Sequence, residues 1–276
     1  MKIAHVTDTH IAKAGQLAYG VDTRRTFAEI ISEISSWNPD FCVLTGDLLF
    51  REFDAESMEW LLSQFEKAET ILFAVPGNHD DPVKLNEYLV PEKQTEKLNT
   101  VLSGRGEEGC TLVKFRDKRA YAYALCFNEK QFLFMDTSLK YIQASQLKFF
   151  SYLCSREVKM RLFFIHYPPV LTGHRFMDRK WSLKRRKPSD AFFKTAAESC
   201  PDADLFCGHY HYNYSTETDH YKMYVTPSTF MQIDPAEEKF TALSYDTAWR
   251  KIQIENDRMF TELVRHKAEN IPDNQF

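Results

Sequence analysis

The chain has 276 residues and lacks the features that mark a secreted, membrane-spanning or nucleic-acid-binding protein. No uninterrupted apolar run approaches the roughly 18 residues that a membrane span requires, and the apolar stretch before Asp8 is too short for the core of a signal peptide. Lys and Arg number 35 against 39 Asp and Glu, so the formal charge is −4. A slightly acidic protein is not expected to bind nucleic acid or an anionic membrane strongly. We therefore expect a cytoplasmic protein whose partner is neither a membrane nor a nucleic acid.

Cysteine motifs are missing as well. The six cysteines form no Cys-x-x-Cys pair or close cluster, and Cys42 and Cys207 lie inside apolar runs. This pattern predicts reduced cysteines in the core rather than a disulfide framework or a thiolate metal site. The sequence also contains no Walker lysine motif and no Gly-x-Ser-x-Gly elbow.

Short apolar runs alternate with stretches of helical periodicity. The runs stop at polar or turn-like clusters and predict strands at residues 2–7, 41–45, 71–75, 161–165 and 205–207. Apolar side chains at helical spacing predict helices around residues 27–34, 58–65 and 147–154, with Asp54 as N-cap of the second. Alternating strands and helices predict an α/β protein with mixed sheets covered by helices.

The remaining segments are less regular. Three strand-like runs at 111–115, 120–127 and 131–135 predict an antiparallel meander, and two further strands are expected at 221–226 and 240–245. The tail is expected to form a helix at 259–266. Residues 1–276 are assigned to a single domain, in which segments 81–109 and 173–190 are candidate substrate lids.

Polar residues that could bind metal ions follow each of the first five predicted strands. Because the carboxyl ends of strands in an open α/β sheet build ligand sites, we expect these residues to converge. Glycines that directly precede three of the groups suit tight turns or a close approach of the backbone. The groups are Asp8 and His10; Asp47; Asn78, His79 and Asp80; His166; and His209 and His211, and the glycines are Gly46, Gly77 and Gly208.

Imidazole, carboxylate and amide ligands suit transition-metal ions such as Fe, Mn or Zn. Two divalent ions with Asp8, Asp47 and one hydroxide carry a net charge of about +1, which matches a monoanionic phosphodiester. Such a pair of ions generates hydroxide near neutral pH and stabilises both the attacking and the leaving oxygen. Taken singly, each acid could be a turn residue and His166 a hydrogen-bonded core histidine; taken together, the residues favour a dimetal site.

In order and spacing, these motifs resemble the calcineurin-like metallophosphoesterase superfamily over about residues 1 to 211. The resemblance implies a four-layer α-β-β-α sandwich of two mixed β-sheets flanked by helices. It also implies that His79 is a catalytic residue facing the phosphate, as a general acid or charge stabiliser, and that Asn78 and His209 contact the substrate too. The ion ligands that it implies are Asp8, His10, Asp47 and His211 for one ion and Asp47, Asn78, His166 and His209 for the other, with Asp47 as the bridge.

A weaker similarity concerns the substrate. Residues 226–232 and the segment from Gly173 to Asp178 are similar to the branch of cyclic-nucleotide and glycerophosphodiester phosphodiesterases, although that branch often has a histidine pair where this chain has His166-Tyr167. We expect hydrolysis of 3′,5′-cyclic nucleotides such as cyclic AMP by attack of a metal-bound hydroxide on phosphorus. A glycerophosphodiesterase or another phosphoesterase with the same centre is the alternative, and a non-catalytic scaffold is a further one. A homodimer is expected from the resemblance only.

Four further assignments concern residues outside the ligand set. His5 is expected to be a satisfied core residue, His174 a surface residue and Asp80 a loop anchor. The basic segment 175–187 is either a solvated face or a lid that attracts phosphate. Its cations are Arg175, Arg179, Lys180, Lys184, Arg185, Arg186 and Lys187.

Overall fold

The computed structural model describes residues 1–115, 121–183, 203–219 and 221–268. The first large sheet has the strand order β14-β13-β1-β2-β3, in which β1, β2 and β3 run parallel. Its strands are β1 (Lys2–Val6), β2 (Phe41–Thr45), β3 (Leu72–Val75), β13 (Thr247–Glu255) and β14 (Arg258–His266).

The second large sheet has the order β4-β5-β6-β7-β8-β10-β9. Its strands are β4 (Thr111–Lys114), β5 (Tyr123–Phe127), β6 (Lys130–Met135), β7 (Met160–Ile165), β8 (Ala203–Cys207), β9 (Tyr214–Glu217) and β10 (Tyr221–Val225). β4, β5 and β6 pair antiparallel, which confirms the predicted meander. A small sheet joins β11 (Gln232–Ile233) to β12 (Ala242–Ser244).

The described helices are α1 (Thr23–Trp37), α2 (Ala55–Lys67), α3 (Pro82–Tyr88), α4 (Pro91–Gly104), α5 (Ala144–Cys154) and α6 (Arg175–Lys180). Asp54 caps α2 as predicted, since its carboxylate accepts from the Ser57 N–H at 2.9 Å. Segment 81–109 forms α3 and α4. None of the described helices has both the length and the apolar content to cross a bilayer.

Two apolar cores set the layer order. The first joins α1 and α2 to β1, β2 and β3 and also contains Phe132 and Phe164 from the second sheet, so it fills the space between the sheets. The second contains Leu133 and Phe163 from the other face of that sheet together with Phe150 of α5. Helices therefore flank a pair of sheets, and the predicted α/β sandwich is confirmed. The single domain, the homodimer and the cytoplasmic location stay predictions.

A row of stacked rings crosses the second sheet between the two layers. Neighbouring ring centroids lie 4.4 to 5.5 Å apart and neighbouring ring planes differ by 10 to 23°. The rings belong to Tyr123, Phe134, Phe164, Phe206 and Tyr224. At one end the Tyr123 hydroxyl donates to the carbonyl of Ala74 in β3 at 3.0 Å, which ties the two sheets together.

The helix predicted at 259–266 is wrong, because this segment is the strand β14. Asn256 and Asp257 adopt φ of 49° and 58°, the left-handed conformation of a tight hairpin turn. All nine residues of β14 then pair with β13.

Two smaller expectations are also wrong. His174 is fully buried rather than on the surface, and its ring caps α6. Cys154 is disulfide-bonded, so the cysteines are not all reduced, whereas Cys42, Cys110, Cys126 and Cys207 are free. Cys200 lies outside the described residues.

Candidate metal centre

The predicted ligand segments meet at the carboxyl ends of β1, β2, β3, β7 and β8. Backbone hydrogen bonds join them: the Asp8 N–H donates to the Gly46 carbonyl at 3.0 Å, and the Gly208 N–H donates to the His166 carbonyl at 3.0 Å. The local backbone is strained, since five candidate ligands have positive φ, a region that side chains other than glycine rarely adopt. They are Asp8, His10, Asp47, His209 and His211, at 41 to 68°.

The glycines before the ligands are required by close backbone packing, as predicted. A Cβ on Gly46 would lie 2.6 Å from the backbone N of Gly77 and 2.5 Å from the Nδ1 of His166. A Cβ on Gly208 would lie 2.5 Å from the Oδ2 of Asp8. The turns therefore touch each other through glycine, and this contact brings ligands from distant parts of the chain into reach of one another.

Asp8, His10 and His211 form the first cluster, and all three are buried. The Nε2 atoms of His10 and His211 lie 3.3 Å apart, and the Nε2 of His211 lies 3.2 Å from the Oδ1 of Asp8. The Oδ2 of Asp8 accepts from the Thr7 hydroxyl and from the His209 N–H, so Oδ1 is left facing the two imidazoles.

Asp47, His166 and His209 form the second cluster, also buried. The Nε2 of His166 lies 3.1 Å from the Nδ1 of His209 and 3.4 Å from the Oδ2 of Asp47. The other nitrogen of His166, Nδ1, donates to the Thr45 carbonyl at 2.7 Å, which fixes the orientation of the ring and turns Nε2 toward the second cluster. The Asn78 Oδ1 lies 3.3 Å from that Nε2, so Asn78 belongs to the same side.

Asp47 lies between the two clusters. Its Oδ2 is 3.4 Å from the Nε2 of His166 in its own cluster and 3.8 Å from the Nε2 of His10 in the other. Its Oδ1 accepts from the His79 N–H at 2.9 Å and so holds the turn that carries His79. One carboxylate therefore contacts both clusters and the candidate catalytic histidine.

The electrostatics of the site favour the ionised forms of Asp8 and Asp47 and the neutral forms of His10 and His209. Burial alone would raise the pKa of Asp8, but His211 beside it lowers that pKa to about 2, and in the same way His166 holds the pKa of Asp47 well below its usual range. Burial lowers the pKa of His10 to about 3 and holds that of His209 well below its usual value. His166 differs: burial opposes its protonation, but Asp47 outweighs burial and raises its pKa to about 9.

These residues fit metal ions. Zinc binds imidazole nitrogen and carboxylate oxygen at about 2.0 to 2.2 Å, so the ligand atoms around one ion lie roughly 3 Å apart. The separations given above, two in each cluster, are 3.1 to 3.4 Å. The buried Asp8 Oδ1 also has no hydrogen-bond partner among the described residues. A buried, ionised carboxylate oxygen in that state is costly unless a cation neutralises it.

His79 lies beside the clusters rather than in them. Its side chain is 38% exposed and its Nε2 is 4.0 Å from the Oδ2 of Asp47. Asp80 anchors the same turn, as predicted, because its carboxylate accepts from the Leu48 N–H at 3.0 Å and from the Gly77 N–H at 2.8 Å.

A cavity of about 330 Å³ opens over the two clusters. Among the described residues, six aromatic side chains line it beside His79 and the candidate ligands, which include Asn78: Tyr19, Phe50, Phe176, Trp181, Phe230 and Phe240. The sequence interpretation did not find this aromatic lining, because its members come from separate segments and share no motif. Segment 81–109 contributes none of the described residues that line the cavity.

Two of the cations in segment 175–187 bind the protein itself. Arg175 and Arg179 lie 3.5 and 3.4 Å from carboxylate oxygens of Glu238. The Arg179 guanidinium also donates to the Glu238 carbonyl at 2.8 Å. These two arginines hold α6 against the loop after β11, while residues 184–187 lie outside the described part of the chain.

A family model described as calcineurin-like phosphoesterase matches residues 1–232. The chain belongs to this calcineurin-like phosphoesterase family. Its relatives include a protein named "Probable cyclic nucleotide phosphodiesterase" from Fibrobacter succinogenes, which is 27% identical over 95% of this chain and 93% of its own length. The 3′,5′-cyclic adenosine monophosphate phosphodiesterase CpdA of Haemophilus influenzae is 25% identical over 100% of this chain and 94% of its own length.

A solved structure has a similar fold. A dimetal phosphatase from Danio rerio superposes with a TM-score of 0.64 at 11% identity, covering 97% of this chain and 96% of the phosphatase. At this identity the likeness concerns the fold alone, and it agrees with the sandwich described above.

Proposed function

We propose that the protein is a dimetal-dependent phosphodiesterase that hydrolyses 3′,5′-cyclic nucleotides, cyclic AMP in particular. The observation that carries the proposal is the position of Asp47, whose Oδ2 lies 3.4 Å from His166 of one cluster and 3.8 Å from His10 of the other. A carboxylate so placed can bridge two ions. The relatives named for cyclic nucleotides support this choice of substrate.

In this proposal Asp8, His10, His211 and Asp47 would hold one ion, and Asp47, Asn78, His166 and His209 would hold the other. Bound Fe, Mn or Zn ions would supply Lewis acidity, a more acidic water and charge to stabilise the transition state. Because His10 and His209 favour the neutral form in this pocket, these two ligands would cancel none of the ions' charge. An anionic diester is then attracted to the site.

The side chains beside the ions position the phosphate and move a proton. His209 lines the cavity, and its Nε2 has no hydrogen-bond partner among the described residues. In the neutral tautomer that carries its proton on Nε2, this N–H can donate to a phosphoryl oxygen. His79 borders the same cavity, and its backbone is fixed on Asp47. We assign to His79 the proton that the leaving sugar oxygen takes up as the ester bond breaks.

A panel of substrates tests the proposal. The protein is loaded separately with Mn, Fe or Zn, and kcat/KM is measured for cyclic AMP, a glycerophosphodiester, bis(4-nitrophenyl) phosphate and 4-nitrophenyl phosphate. We expect the highest value for cyclic AMP among the natural substrates. Equal values for all four would contradict the cyclic-nucleotide assignment and favour the alternative of a broad phosphoesterase. No turnover of any compound with any metal would favour the non-catalytic scaffold.

A further inference from the structure

We infer that the aromatic lining of the cavity selects phosphodiesters that carry a planar ring, and that Tyr19 is a specificity-determining residue of this lining. The inference rests on the proposed function, in which the ester bond would be hydrolysed at the two clusters beside the rings. Tyr19, Phe50 and Phe230 are its core, and Phe176, Trp181 and Phe240 complete the lining.

The rings begin at the candidate ligands and continue outward. Phe230 is buried, and its ring centroid lies 5.4 Å from that of His10 and 6.4 Å from that of His211. The Tyr19 ring lies 6.0 Å from Phe230 with the planes 20° apart, and Phe50 lies edge-on to both. A phosphate held at the ions therefore has its ester substituent directed at a surface of ring faces and edges, which stacks well with a planar ring.

The backbone at Tyr19 adopts a conformation that a large side chain disfavours. Ala18 and Val21 exchange two hydrogen bonds of 2.9 Å, so Tyr19 and Gly20 form a two-residue turn with φ of 46° and 82°. Asn, Asp and Gly are the favoured residues at the first of these positions, and a large side chain is disfavoured there. Tyr19 nevertheless occupies this position and remains 41% exposed at the edge of the cavity. Strain retained at the edge of a cavity points to a role in that cavity.

The charges around the rings favour a neutral ring over a cationic head group. An aromatic cavity could also hold the trimethylammonium of glycerophosphocholine by cation–π attraction. In the described part of the chain, two cations already lie over rings of the lining: the Arg51 guanidinium is 5.0 Å from the Phe50 centroid, and the Lys140 Nζ is 3.7 Å from the Trp181 centroid. A third cation would be repelled, whereas a nucleobase or an aryl group would not.

The test compares kcat/KM for cyclic AMP with kcat/KM for glycerophosphocholine in the wild type and in Tyr19→Asn. Asn removes the ring but tolerates the left-handed turn, so thermal unfolding should show no loss of stability. We expect the ratio of cyclic AMP to glycerophosphocholine to fall about tenfold, through KM, because stacking of one base contributes roughly that much. Tyr19→Phe should restore the ratio. Phe260→Ala removes an exposed ring from β14, outside the cavity, and should leave both values unchanged.

Equilibrium binding provides a second readout that needs no turnover. Calorimetry with 5′-AMP and with inorganic phosphate should show about tenfold weaker binding of 5′-AMP to Tyr19→Asn, with the phosphate affinity unchanged. An equal effect on both ligands, or wild-type kcat/KM higher for glycerophosphocholine than for cyclic AMP, would overturn the inference. If the wild type hydrolyses neither diester, the proposed function fails, and the two affinities still decide whether the rings bind a base.

Discussion

Replacing Gly46 by Ala should disable the metal centre without changing any ligand. The new Cβ would lie 2.6 Å from the backbone N and Cα of Gly77, about 1 Å inside ordinary contact distance. Gly46 also has φ of 87°, where a side chain costs about 1–2 kcal/mol. Together with about 1–3 kcal/mol for the overpacked contact, we expect the free energy of unfolding to fall by about 2–5 kcal/mol.

The effect on catalysis should be larger than the effect on stability. Gly46 precedes Asp47, and its Cβ would also press on the Nδ1 of His166 at 2.5 Å, so relief of the clash displaces ligands of the second cluster. A displacement of about 1 Å lowers the rate by about 100-fold. The assay is kcat/KM for bis(4-nitrophenyl) phosphate at saturating Mn, beside urea unfolding.

Gly106→Ala is the matched control. Gly106 has φ of 71°, so it carries a similar backbone penalty, but nothing lies within 4 Å of its added Cβ. This variant should lose stability and keep its kcat/KM. Wild-type activity in Gly46→Ala, or an equal loss of activity in Gly106→Ala, would refute the reasoning.

Three further predictions concern the proposed catalytic residue His79, the ring stack and the dependence of stability on pH. His79→Ala should retain both metal ions and lower kcat by about 10²- to 10⁴-fold, as measured by metal analysis and steady-state kinetics. Loss of the ions with an unchanged kcat per loaded site would contradict this prediction. Phe164 is fully buried in the middle of the ring stack, so Phe164→Ala should lower the free energy of unfolding by about 3–5 kcal/mol in a urea titration. A loss below about 1 kcal/mol would contradict the packing described. Burial, assisted by Arg250, lowers the pKa of His5 to about 3. Because the unfolded chain takes up this proton at its ordinary pKa near 6.5 and the folded chain does not, stability is lost as the pH falls below that value. His5→Gln should therefore reduce the slope of stability against pH by about 1.4 kcal/mol per unit between pH 6 and 4, and an unchanged slope would contradict the buried neutral state.

The strands and the convergence of the ligand segments could be predicted from the sequence because each signal was local. Every ligand group follows a short apolar run, and parallel strands bring their carboxyl ends to one edge. The structure places these groups together as expected. His5 is likewise a satisfied core residue, bonded at 2.8 Å to the hydroxyls of both Thr226 and Thr45.

The wrong predictions for residues 259–266 and for His174 concern features that depend on contacts between distant parts of the chain. Met259 and Leu263, like Phe260 and Val264, are four residues apart and fit a helix as well as a strand, and only pairing with β13 decides for the strand. His174 is buried because Tyr210 and Tyr212 pack against it, with ring centroids 5.7 and 5.0 Å away.

The aromatic cavity could not be predicted for the same reason. Tyr19, Phe50 and Phe230 approach one another only after the loops around the centre have folded, and no spacing in the sequence relates them.

The most direct test of the dimetal centre is the number of metal ions bound per chain in the wild type and in Asp47→Ala. Elemental analysis after dialysis against Mn gives this number, and turnover of cyclic AMP is then measured on the same samples. Since the Asp47 carboxylate lies between the clusters, we expect two ions per wild-type chain, no more than one in the variant, and no turnover by the variant. Two ions retained by Asp47→Ala together with full activity would contradict the bridging role of Asp47 and the centre built on it.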